Sequence, residues 1–174
     1  VETVDGSQYP DPNVRGEVLE ESLRLEMFPC YTCSMLLKRE VIERIHPLTS
    51  RPSADDVGIL LELAQVTEFD FVDEILVNKT FSEDSRGFGM KNLREKERIV
   101  TEEYDELYRQ YPPVVQDTAL HKLGRQFTQT SYSILTDELW STTAIRAAVK
   151  GVRYDPSPVS VGVLFASLFG KPAI

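Results

Sequence analysis

Three short apolar segments, set apart by polar loops, constrain what the first half of this chain can fold into. They are Cys33-Ser-Met-Leu-Leu-Lys-Arg-Glu-Val-Ile-Glu-Arg-Ile45, Asp55-Asp-Val-Gly-Ile-Leu-Leu-Glu-Leu-Ala64 and Phe69-Asp-Phe-Val-Asp-Glu-Ile-Leu-Val77. Overlapping the start of the first, Tyr31 to Leu37 is rich in β-forming and apolar residues and reads as a strand. Lys38 to Ile45 sets Val41, Ile42 and Ile45 on one helical face, and Pro47 stops it. His46 to Ala54 carries prolines and hydroxyl residues and reads as a loop. Ser53 then stands as an N-cap with Asp56 in the capping-box place, so a helix is expected to about Val66. Asp55 and Asp56 fall in its first turn, where the positive end of the helix dipole favours carboxylates. Phe69 to Val77 reads as a second strand, with Phe69, Phe71, Ile75 and Val77 pointing one way.

Elsewhere the pattern is helical. Val1 to Gly16 is irregular. Glu17 to Met27 spaces Val18, Leu19, Leu23 and Met27 as a short amphipathic helix ending at Pro29. Lys79 to Gly89 is a polar, glycine-bearing loop. Asn92 to Tyr111 predicts a long charged helix with Leu93, Ile99, Val100, Tyr104, Leu107 and Tyr108 as its buried stripe. Pro112-Pro113 breaks it and marks a boundary between domains over 1–111 and 112–174. Beyond the break, helices are predicted over Val114 to about Leu139, Trp140 to Val152, and Ser160 to Phe169, the last closed by Gly170. The Tyr154-Asp-Pro-Ser-Pro turn makes a helical hairpin, but no period recurs.

A formal charge of −9 repels polyanions, so no nucleic-acid partner is expected. The run Lys91 to Arg98 is interleaved with Glu95 and Glu97 and reads as a solvated helix face. The longest apolar run, Val159 to Phe169, falls short of the about 20 residues a spanning helix needs. It reads as a helix that packs on other helices, having no basic face to hold a membrane surface. The acidic opening is unlike a secretory signal, so a cytoplasmic location is expected, peripheral to a membrane at most. A first residue that is not Met suggests a piece of a longer polypeptide. Cys30-Tyr-Thr-Cys33 is open to three readings: buried structural thiols, a redox pair, or half a zinc site lacking its other ligands. His46 reads as a surface residue, and Trp140 as packing or a sugar-stacking platform.

Residues from about Gly16 to Tyr111 resemble the second half of the catalytic domain of family 2 glycosyltransferases, which have the GT-A fold. The residues that carry the likeness are Met35-Leu-Leu-Lys-Arg-Glu-Val-Ile42, the pair Asp55-Asp56, and Phe69 to Val77. The resemblance implies an α/β fold, a partial GT-A domain followed by a helical appendage. It also implies inverting transfer of a sugar from a nucleotide-sugar donor to a hydroxyl of a glycan or lipid-linked acceptor, as in glycan biosynthesis. Asp56 takes the role of general base, with Asp55 beside it. A sugar hydroxyl is a poor nucleophile, and a positioned carboxylate helps by accepting its proton in the transition state; a neighbouring like charge raises one partner's pKa. Lys79 and Arg86 would face the diphosphate leaving group, Ser34 and Thr32 the acceptor, with Asp73 and Glu74 near the site's edge. The family's metal, Mg²⁺ or Mn²⁺, is held by an Asp-x-Asp motif in a donor-binding half that this sequence lacks. The resemblance therefore implies an upstream donor-binding segment or polypeptide as partner, and an isolated chain that is inactive. The alternative is a non-catalytic protein-interaction module.

Overall fold

The structure, a computed structural model, describes residues 15–27, 34–72, 74, 89–138 and 140–170. Among them there is no strand, which overturns the α/β, GT-A-like expectation. The described residues of Tyr31 to Leu37 do not pair: Ser34 lies in a tight helical turn, residues 35–38 are irregular, and Leu36 is 99% exposed; Tyr31, Thr32 and Cys33 lie outside the described residues, as does Cys30. Among the described residues of Phe69 to Val77, only Phe69 makes backbone hydrogen bonds to another segment. It exchanges backbone hydrogen bonds with Gly16 at 2.7 and 2.8 Å, an isolated antiparallel bridge. The physical reason is that a strand satisfies its amides only through a neighbour. Among the described residues the two apolar runs form no ladder with each other, so strand-like composition is left without a partner there.

The chain divides into two compact units, Val1–Ser85 and Arg86–Ile174. In the first, α1 (Leu19–Leu23) and α2 (Arg39–Ile45) each pack on α3 (Asp55–Ala64). Val18, Leu23, Val41, Leu60, Leu61 and Leu63 form the buried apolar centre, matching the periodicity of the sequence. α1 stops short of Pro29, with Leu25 turning into the left-handed region at φ 56°. The N-cap residue of α3 is Ala54 rather than the expected Ser53; it is buried and left-handed at φ 56° and has no side chain able to cap. Arg51 lies under this turn, its fully buried guanidinium bonded to Glu62 Oε1 at 2.7 Å. It crosses α3 at Gly58, where a Cβ would lie 2.2 Å from the guanidinium carbon.

In the second unit the expected long helix is broken into α4 (Met90–Arg98), a π-helical turn (Ile99–Glu103) and α5 (Asp105–Tyr108). Pro112-Pro113 starts α6 (Pro113–Asp137) within this unit. A proline in a helix's first turn has no amide to lose and its φ already suits the helix. α7 (Thr142–Tyr154) and α8 (Pro158–Phe169) follow. Ser157 caps α8 reciprocally with Ser160, at 3.2 and 3.0 Å.

α6 and α7 meet along small residues. Ala119, Leu123, Phe127, Ser131 and Leu135 recur every fourth position on α6, all buried, against Ala144, Ala147, Ala148 and Gly151 of α7. Ser131 donates to the carbonyl of Ala144 at 2.8 Å, a bond possible only where two helices run close. Among the described residues no helix is long and apolar enough to cross a membrane.

Candidate functional site

Of the residues assigned to sugar transfer, Asp55, Asp56 and Ser34 can be placed; Thr32, Lys79 and Arg86, together with Asp73, lie outside the described residues. Asp55 is exposed and Asp56 half-buried in the first turn of α3. Asp56 Oδ1 accepts from the amide of Val57 at 3.0 Å, a local bond that settles the helix start. Neither aspartate makes an ion pair with a described residue. Ser34 and Glu74 are exposed, and so are His46 and, at 57%, Trp140, which does not pack into the helical core. Among the described residues no group of His, Cys, Asp and Glu side chains is placed to hold a metal ion, so they offer Mg²⁺ or Mn²⁺ no seat.

A polar cavity of about 310 Å³ opens instead on the second unit, lined by Arg94, Glu97, Arg98, Thr101, Glu102, Lys150, Arg153 and Tyr154. Two stretches of chain build it. Arg94, Glu97, Arg98 and Thr101 share one face running from α4 into the π turn, and Lys150, Arg153 and Tyr154 share one face of α7. Glu97 joins them: the Lys150 ammonium is bonded to it, and the Tyr154 hydroxyl donates to Oε1 at 2.6 Å. Burial, then the Glu97 carboxylate, pushes the Tyr154 phenol up to about 12. Arg98 bonds Glu95 Oε1 at 2.6 Å and Glu103 Oε2 at 2.5 Å. Glu103 lies five positions after Arg98, a spacing that a standard helix would turn away; the wider π turn brings them together. The hydrogen bond to Glu95, with Glu103 adding, raises the Arg98 pKa despite the opposing effect of burial.

Comparison with protein-family models, with characterised proteins and with solved structures finds no match.

Sequence alone does not mark the α4 side of this cavity, because Lys91 to Arg98, interleaved with Glu95 and Glu97, has the pattern of a solvated helix face. A signal was present: Lys150, Arg153 and Tyr154 at i, i+3 and i+4 make a second polar face on a helix otherwise packed through alanines. Charge is also unevenly shared. Arg86–Ile174 holds 12 Lys and Arg against 10 Asp and Glu, whereas Val1–Ser85 holds 7 against 18. The cavity thus belongs to the basic unit of an acidic chain.

A second feature lies on α8. Its buried side is Ser160, Val163 and Ser167. Its larger apolar side chains face outward: Val161, Phe165, Leu168 and Phe169 are 38%, 59%, 47% and 81% exposed. Phe165 and Phe169 stack with centroids 6.3 Å apart. Ser167 donates to the carbonyl of Leu164, and Ser160 to those of Asp155 and Ser157, so both buried hydroxyls are satisfied within their own helix and its cap.

Proposed function

We propose that this chain is a non-catalytic interaction module that pairs reversibly with a second copy through α8. The observation that carries this reading is the outward stripe of that helix. Val161, Phe165 and Leu168 follow the alternating four-and-three spacing of a coiled-coil seam, flanked by Gly162 and Phe169. A Cβ at Gly162 would meet nothing within 4 Å, so a neighbouring helix can approach closely there. Pro158–Phe169 contains no charged residue, so two copies can meet stripe to stripe without like-charge repulsion in spite of the chain's −9.

One face of a 12-residue helix, about 18 Å long, is smaller than the roughly 800 Å² per side of stable complexes. Pairing through it is therefore transient and concentration-dependent. The glycosyltransferase reading rests on sequence likeness alone, and the described residues supply no sheet on which its base and acceptor residues would be arranged.

Sedimentation velocity over a concentration series tests the proposal. The weight-average sedimentation coefficient is expected to rise with concentration, and the double substitution Phe165→Ser, Leu168→Ser is expected to hold it at the monomer value with unchanged far-UV circular dichroism. A wild-type chain that stays monomeric up to about 1 mM, the weak end of specific affinities, overturns it.

A further inference from the structure

The geometry points to the cavity between α4, the π turn and α7 as a binding site for a small phosphomonoester. Four cations line it, Arg94, Arg98, Lys150 and Arg153, against two carboxylates, Glu97 and Glu102. Most of this charge is already committed. Lys150 and Tyr154 are bonded to Glu97, and Arg98 is held between Glu95 and Glu103. Arg94 and Arg153 make no ion pair with any described residue. Two guanidinium groups from separate helices thus face one cavity with their donors unspent.

A guanidinium presents parallel N–H groups that match two phosphate oxygens, and it does so better than an ammonium. The Arg153 guanidinium lies 5.5 Å from the centre of the Tyr154 ring, a cation–π contact that steadies its fork. The Tyr154 hydroxyl is itself fixed by Glu97, so the platform under Arg153 is braced from below. Size and polarity narrow the ligand further. About 310 Å³ sits at the small end of ligand clefts, room for one phosphate and a short substituent. Glu102 on the same lining is exposed and makes no ion pair with a described residue, so it repels ligands carrying several phosphates. An anion of one phosphate group, balanced by two guanidinium groups, meets these conditions.

The test is isothermal titration calorimetry of the full chain with O-phospho-L-serine, with L-serine, inorganic phosphate and sulfate as separate arms at matched ionic strength. Saturable binding of phosphoserine is expected, with serine silent and sulfate weaker. Inorganic phosphate binding as tightly as the ester overturns any role for the substituent. Arg94→Gln and Arg153→Gln should each weaken binding by about tenfold, the low end for a lost hydrogen bond to a charged group. Both side chains lie at the protein surface, so circular dichroism and melting temperature should be unchanged. Arg94→Lys and Arg153→Lys keep the charge and lose the fork, and should also bind more weakly than wild type. Glu102→Gln should bind more tightly. Absence of saturable phosphoserine binding, or affinity untouched by both glutamine variants, overturns the assignment. Because none of these residues lies on α8, the outcome is independent of whether the chain self-associates.

Discussion

Gly124 of α6 and Asp155 at the end of α7 lie so close that a Cβ on the glycine would sit 2.7 Å from the aspartate's backbone nitrogen and 2.8 Å from its Cβ. The contact closes the α6–α7 pair at the point where the chain turns toward α8. It also explains why a glycine, normally a poor helix former, stands in the middle of a 25-residue helix.

Gly124→Ala is expected to destabilise the second unit. Overpacking of this kind costs about 1–3 kcal/mol, and the better helix propensity of alanine offsets only about 1 kcal/mol of it. Gly151→Ala differs in an instructive way. Its nearest neighbour is the Thr128 hydroxyl oxygen at 2.4 Å, a side-chain atom. Adding Thr128→Ala should therefore recover much of the stability lost in Gly151→Ala, whereas no single side-chain truncation recovers Gly124→Ala. Thermal denaturation of the single and double variants checks this.

In the first unit the corresponding relationship is Arg51 with Gly58 and Glu62. Gly58→Ala would drive its Cβ into a guanidinium that has no exposed path of retreat, its side chain being wholly buried. Glu62→Ala would remove the carboxylate that its guanidinium bonds, while the Thr49 carbonyl still accepts from it at 3.3 Å. Loss of a hydrogen bond to a charged group typically costs about 1.5–3 kcal/mol. Both variants should shift the urea midpoint strongly downward, and a silent Gly58→Ala would show that Arg51 does not cross α3 there.

Alkaline pH should weaken the fold in part through Tyr154. Its phenol is raised to about 12, first by burial and then by Glu97, so the folded state favours the neutral form. The contribution is whole below the ordinary tyrosine pKa of about 10 and is lost as pH rises toward about 12. Tyr154→Phe should flatten part of this decline, measured as urea stability against pH. A residue of it should persist, because burial also pushes Tyr108 upward.

Some of this was legible beforehand. Leu123, Phe127 and Leu135 as apolar contacts, the paired prolines that separate α6 from the helix before it and Gly170 beyond α8 all act within a turn or two of the chain, and helices appear there. The acidic pair Asp55-Asp56 does open a helix. The cavity residues were harder to see, because charged residues at i and i+4 look alike whether they face water or a second helix. The break of the long helix into a π turn left no local mark apart from the spacing of Arg98 and Glu103.

The sequence by itself determined where helices form, since helical hydrogen bonds and capping depend on residues at most a few positions apart. Only the tertiary structure decided whether strand-like runs such as Phe69-Asp-Phe71 find a partner, because pairing depends on a distant segment arriving alongside. It also decided that α8 buries its serines and shows its phenylalanines. Burial is set by what the neighbouring helices leave room for, and Gly124 and Gly151 draw α6 and α7 together in a way that no single helix's periodicity reveals.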